Sequence, residues 1–567
     1  MAEVDAAAGV QDELTYEGGG LKQETNWWGA FVIGLAGVIL VTGIAPVMVT
    51  TLGAASIPLI VVVTFSGYLL CLLLAELAAM MPERTGGLPS FVYPAFRDRS
   101  PKVAAHANGI TAWAYWLGWF PVAPLNMILA SFYLADRFGL DTTSGFTPIN
   151  TFIAWWTLAI AVVGILLVFI PAYFGIRIGT AFATVLGVLS MIPLTFLAVS
   201  WLFSGEADWG NVSGFNQLDG SSFWSGADGV GPLTLYLAYA FLLTWNVIAM
   251  EAAACYIGEC RDPKRDAKIA MNLEGGYGLL IYTLIPLGFV AVLGSKALSN
   301  PDLVDPNTMF VTFAGKIFSA SGEALNWIIA VMLIVALALS ALNAIMGCAR
   351  SLHQMSIDGQ FPRFFQEVNR HGVPGRSMAF NVVCSLLVVL LGGAVEIYTF
   401  SNVGYTASVV VVCVAYYMLK KHRPNVSRPF SLPGWFKWVA MALAIFFFII
   451  WSYGGYEYSQ IGDAEVYYFL GWAVLVAYIP LYLYRTRVED KRHGPPEPGA
   501  TVAPPAKLPR NSVRTSRNMN RKKNANCDRR RVLRSAEMIR RAGRPDPGRF
   551  FALKRARTHA AARCHGA

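Results

Sequence analysis

Twelve long apolar runs constrain this chain more than any other feature, at roughly 27–52, 57–81, 108–136, 150–170, 176–203, 231–257, 272–294, 324–349, 376–394, 397–419, 437–453 and 464–484. A helix needs about 20 apolar residues to cross ~30 Å of hydrocarbon. Inside lipid every backbone amide and carbonyl must be bonded within the protein. The expected fold is therefore an all-α integral membrane protein with twelve transmembrane helices. Composition agrees: 55% of the residues are hydrophobic and 14% are charged, with mean hydropathy +0.47, whereas about a quarter of a soluble domain is charged.

The net charge of +10 belongs to the C-terminal end. From Arg485 onward 23 Lys/Arg face 6 Asp/Glu, a balance of +17 that leaves the first 484 residues at −7. The basic balance says nothing about the membrane part, and no nucleic-acid partner is expected. Three regions follow: a cytoplasmic N-terminal segment over 1–26, a twelve-helix core over 27–484, and a basic, disordered cytoplasmic tail over 485–567. The tail opens with the Pro-rich GPPEPGATVAPPAKLP. It reads either as a contact for anionic lipid, at ~1 kcal/mol per cation near the surface, or as an appendage too polar to fold.

Orientation follows from the loops. With the N-terminus inside, the cytoplasmic loops hold 18 Lys/Arg, and the opposite loops hold three, Arg137, Lys296 and Lys316. This bias predicts a multi-pass protein of the cell membrane with both termini cytoplasmic. The first 26 residues lack the basic start of a cleavable signal. The eight cysteines show no disulfide framework, and Cys255 and Cys260 have no histidine near them in sequence. No metal site and no cofactor are expected.

Within the sixth run, LLTWNVIAMEAAACYIGE carries Glu251 about ten residues in. A charge near the bilayer centre costs at least ~2.5 kcal/mol, which makes Glu251 a functional candidate and the one acid placed deep in the membrane. The first run carries Gly43 and Pro46 at mid-membrane. Proline removes a backbone donor, so the chain there must be satisfied by protein or water. Transporters built from two inverted repeats place discontinuous helices first in each half, with the substrate between them. Runs 1 and 6 are those positions. Trp245 and Glu251 are six residues apart, which on an unbroken helix leaves them some 120° from coincidence. A local unwinding would let both address one cavity, where an aromatic face and a carboxylate suit an ammonium group. Asn246 adds neutral hydrogen bonding. Helix packing for Trp245 and a capping role for Glu251 are the alternatives.

These residues resemble a family. WNVIAMEAAACYIGECRDPKRDAKIA, AELAAMMPERTGGLPSFVYPAF, AYWLGWF and ARSLHQMSIDGQFPRFFQEVNRHGVP are similar, in order and spacing, to segments of the amino acid–polyamine–organocation superfamily. The resemblance covers roughly 27–484. It implies a 5+5 inverted-repeat core of the LeuT-like type plus two extra helices. It also implies substrate binding by Thr42, Gly43, Ile44, Ala45, Tyr115, Trp245, Asn246 and Glu251. Val41-Thr42-Gly43 departs from the family's Gly-Ser/Thr-Gly, and Ala249 replaces a glycine before the acid. Some proton-coupled relatives carry a lysine in the fifth helix, where this chain has Ser190. Proton coupling would then fall to Glu251, Glu76 or another carboxylate.

The implied function is a secondary transporter that takes up amino acids with a coupling cation, the proton leading. An amine or polyamine carrier, or an exchanger, remains open. A membrane nutrient sensor on the same fold is a different class. No HExxH, paired-Asp or Ser/His arrangement points to an enzyme. The expected partners are a small amino acid or amine, the coupling cation and the lipid bilayer.

Overall fold

The computed structural model describes residues 21–493 except 85, 98–99, 228, 307 and 320–321. Among these, ten helical runs are long and apolar enough to cross a membrane. The first, Trp27–Met80, has 54 residues, or ~80 Å at 1.5 Å per residue, far more than one crossing needs. Gly53, at φ +60, divides it. A shorter apolar helix spans Gly375–Leu391. The sequence reading reaches twelve by dividing the first run and taking residues 376–394 as a crossing. Among the described residues helices supply most of the core, and two short strands, Gly145–Phe146 and Ile153–Ala154, pair antiparallel in one connecting loop.

Segments 1 and 6 are both interrupted. Segment 6 is α-helical over Pro232–Val247, then 3-10 over Ala249–Cys255 and again over Ile257–Glu259. A 3-10 run of seven residues is unusual, because its hydrogen bonds are poorer than those of an α-helix. Its sequence, AMEAAAC, supplies small side chains that let neighbouring helices reach its backbone. Segment 1 comprises Trp27–Gly34, Ala36–Ile39 and Val41–Leu52. Its irregular turns lie at Leu35 and Leu40, and both keep right-handed helical angles. The expected break at Gly43–Pro46 is thus displaced, and segment 1 is tightened rather than unwound. Pro46 sits inside the helix Val41–Leu52. Tertiary approach sets the place instead: Gly37, between the two tight turns, lies so close to the Ala249 carbonyl that a β-carbon would overlap it.

A buried ion pair ties the end of segment 6 to segment 8. Arg350 and Glu259 are fully enclosed and paired, and the Arg350 Nη1 donates to the Met346 carbonyl at 2.7 Å. The strand-like stretch before segment 1 pairs with the same corner: Thr25 N donates to Glu259 O at 3.2 Å, and Arg261 N to Thr25 O at 3.1 Å. At the far end the helix continues past the boundary read at 485. Arg485 is buried, donating to Asp490 at 2.9 Å and to the Phe361 carbonyl at 2.8 Å. Polar contacts hold this end to the loop after segment 8: Arg363 N donates to Glu489 at 2.8 Å and Arg363 Nη2 to Asp490 at 3.1 Å. The rest of the tail, with its proposed lipid contact, lies outside the described residues, as do residues 1–20.

Gly37→Ala tests the close approach of the two interrupted segments. The methyl group must push backbone from backbone, an overpacking cost of about 1–3 kcal/mol. A lower melting temperature in detergent is expected, while Gly276→Ala, with open space beside it, leaves stability equal or higher.

Candidate functional site

Tyr115, Gly118 and Trp119 lie on one face of the helix Pro101–Trp119, at spacings of three and four residues. That face meets segment 6 at both ends of its α-to-3-10 transition. Trp245 Nε1 donates to the Gly118 carbonyl. Beyond the transition, Glu251 Oε1 accepts from Tyr115 Oη at 3.1 Å, Trp119 Nε1 at 3.2 Å and Tyr405 Oη at 2.9 Å. Glu251 is wholly enclosed, and its Oε2 has no hydrogen-bond partner among the described residues. Three donors on one oxygen fix the carboxyl's orientation and leave the other oxygen able to take a proton or a cationic ligand.

Above this cluster lies a second one. Tyr398 is seven residues before Tyr405 on the helix Ala394–His422, two turns away and on the same face. Its ring lies 5.2 Å from that of Trp245, and its hydroxyl, which has no hydrogen-bond partner among the described residues, sits against Gly43. Tyr282 Oη shares its single proton between the Asn246 carbonyl at 3.0 Å and that of Gly37 at 3.2 Å. Neither side-chain polar atom of Asn246 has a partner among the described residues, although the residue is buried. The arrangement gathers a carboxyl oxygen, an amide and a phenol, each with unused hydrogen-bonding capacity, beside two interrupted helices.

The predicted residues fare unevenly. Tyr115, Trp245, Asn246, Glu251 and Gly43 belong to these two clusters. Thr42 turns its hydroxyl to its own helix, donating to Ile39 O at 2.9 Å. Ile44 and Ala45 are packed in the apolar core. Ser190 likewise donates to its own helix, at Leu186 O. Glu76 stands apart. Its oxygens accept from Lys420 at 2.6 Å, Arg428 at 2.9 Å, Tyr416 at 2.8 Å and Leu432 N at 2.8 Å. A carboxylate so fully paired fastens segment 2 to segment 10 and its loop, and its candidacy for coupling gives way to that role.

Glu251 is not the one acid deep in the protein. Glu274, in the helix Pro263–Leu293, is equally enclosed. Its Oε2 accepts from Ala253 N at 3.0 Å, two residues beyond Glu251, and its Oε1 has no partner among the described residues. The sequence reading passed over Glu274 because the apolar run begins at about 272, so the acid looked terminal. Tyr398 and Tyr405 were missed as well, although their seven-residue spacing within an apolar run is visible.

A family profile described as "Amino acid permease" matches residues 26–477. The chain belongs to the amino acid permease family. It is 26% identical over 388 residues to L-asparagine permease 1 of Mycobacterium tuberculosis, covering 64% of this chain and 71% of that one. It is 22% identical over 268 residues to solute carrier family 7 member 12 of Mus musculus, covering 47% of this chain and about half, 52%, of that carrier. Among solved structures, the manganese transporter of Eremococcus coleocola, in complex with an aromatic bis-isothiourea compound, aligns with a TM-score of 0.51 and 14% identity over 83% of this chain and 95% of its own. At that identity the likeness concerns the fold alone, an all-α transporter fold in the membrane. A permease family and transporter relatives point to a carrier and not to an enzyme.

Glu76→Gln separates fastening from coupling in this permease. Removing the charge leaves Lys420 and Arg428 largely buried without a counter-ion, which costs about 3–5 kcal/mol. A marked fall in melting temperature is expected with substrate affinity unchanged in the protein that folds; normal stability with altered coupling would refute the fastening role.

Proposed function

We propose that this protein takes up amino acids across the plasma membrane, driven by a cation, with both termini cytoplasmic and twelve crossings. The observation that carries the reading is Glu251, held through Oε1 by Tyr115, Trp119 and Tyr405 with Oε2 unused, at the interruption of segment 6. In this reading Oε2 receives the substrate's ammonium group, and Trp245 supplies an aromatic face beside it. The positive end of the helix Val41–Leu52 serves the substrate carboxylate. The Asn246 amide, able both to donate and to accept, suits a polar, uncharged substrate side chain. Relatives named for L-asparagine, a zwitterion with such a side chain, support amino acids over amines that lack a carboxylate.

Screening purified protein against amino acids and amines by ligand-induced thermal stabilisation, followed by flux in liposomes, tests the reading. Glu251→Gln keeps the shape and removes the charge-assisted contact, so affinity should fall ten- to a hundred-fold, ~1.5–3 kcal/mol. Wild-type affinity in a well-folded Glu251→Gln protein would make the acid structural and the site wrong. Orientation has its own check. Asp208→Cys, in the loop between segments 5 and 6, should be labelled by an impermeant thiol reagent in intact cells; labelling only after permeabilisation would reverse the topology.

A further inference from the structure

Glu274 is the ionisable group that the transport reading leaves without a task. Three elements close around it. Segment 6 gives it the amide of Ala253, inside the 3-10 run Ala249–Cys255. Segment 1 passes so near that a β-carbon at Gly34 would lie 2.7 Å from the Glu274 carboxyl carbon and both its oxygens. Segment 2 packs against the neighbouring Gly275 through Tyr68 and Cys71. The ionisable groups that act on Glu274 or feel it are Glu251 and Cys255 from segment 6 and Cys71 from segment 2. All three are acidic or neutral, and no salt bridge to Glu274 is formed among the described residues. An ionised carboxylate enclosed without a cation costs several kcal/mol. The enclosure therefore suits a neutral acid.

We propose that Glu274 is a proton-binding group whose occupancy follows the contact of segment 1 at Gly34, which makes the proton the driving ion of transport. When segment 1 rests on it, the carboxylic acid is sealed and the proton held at Oε1. When segment 1 withdraws, water reaches the carboxyl, the O–H bond breaks and the proton leaves to solution; no electrons move and no other reactant is needed. Glu251 and Ala253 lie two residues apart on one 3-10 run, so a shift of that run with substrate at Glu251 also moves the amide that holds Glu274. The inference rests on the transport reading only for the coupling; the proton itself is tested separately.

The experiment uses the full chain in liposomes. In Glu274→Gln, exchange of labelled amino acid at equal pH should persist, while accumulation driven by an inward proton gradient falls at least ten-fold and substrate no longer brings protons inward. Infrared difference spectra, recorded without substrate, should show a carboxylic-acid carbonyl band in the wild type that is lost in Glu274→Gln. Unchanged gradient-driven accumulation, or identical carbonyl bands, overturns the proposal. If the wild type moves no amino acid or amine, the transport reading fails, and the infrared comparison still decides whether Glu274 holds a proton. If Glu274→Gln does not fold, Glu274→Asp decides: a displaced pH for half-maximal uptake supports the assignment, and an unchanged profile overturns it.

Discussion

A helix that changes from α to 3-10 within a membrane protein strands a carbonyl at the switch and keeps poorer bonds beyond it, so other groups of the protein must supplement them. Here side chains supply the bonds. The carbonyls of Asn246 and Met250 accept from Tyr282 and Cys71, that of Ile248 shares the single Tyr405 proton with Glu251, and the Ala253 amide donates to Glu274. On segment 1 the carbonyls of Ala36 and Gly37 accept from Ser340 and Tyr282. Segments 2, 7, 8 and 10 are thereby fastened to the two interrupted ones, and Tyr282 reaches both at once. Glycines at 34, 37 and 67 let the backbones come close enough for this. The interruption and the core packing around it are one construction.

That construction explains what the sequence could reveal. Apolar runs show the crossings because lipid leaves the backbone few alternatives, and Glu251 stands out because an acid inside such a run needs a reason. Tyr115 was placed through a family resemblance and not through any pattern of its own. The register between segments 3, 6 and 10 has no local signature, so neither Trp119 nor Tyr405 could be joined to Glu251 beforehand. Pro46 drew attention to the wrong turn of segment 1, since a proline is tolerated within a helix whose neighbours satisfy the freed groups. Glu274 was hidden by the hydropathy boundary: the helix starts at Pro263 and carries charged residues on its first turns, but by Glu274 it is already inside the bundle.

The buried acids divide by what surrounds them. Glu76 and Glu259 face cations, two at Glu76 and one at Glu259, and such pairs fix one helix against another. Glu251 and Glu274 face hydroxyls, an indole and amides, and each keeps one oxygen without a protein partner among the described residues. Full pairing suits a fastening, because any change of partner would strand a charge. Partial pairing suits a group that must bind and release, because its remaining capacity is held in place and unspent.

The same logic applies to the atoms beside Trp245. A buried polar group without a partner costs about 1–3 kcal/mol, and the Asn246 amide, the Tyr398 hydroxyl and Glu251 Oε2 are three such groups within two adjoining clusters. A core chosen for stability alone would have replaced them with apolar side chains. Tyr115, Trp119 and Tyr405 hold the Glu251 carboxyl, so little ordering of that group is left to be done when a ligand arrives. In the function proposed here, a polar, zwitterionic solute that engages such groups recovers part of that cost on entry and gives it up on leaving. Binding that is strong enough to select yet reversible enough to release is what a carrier requires of its site.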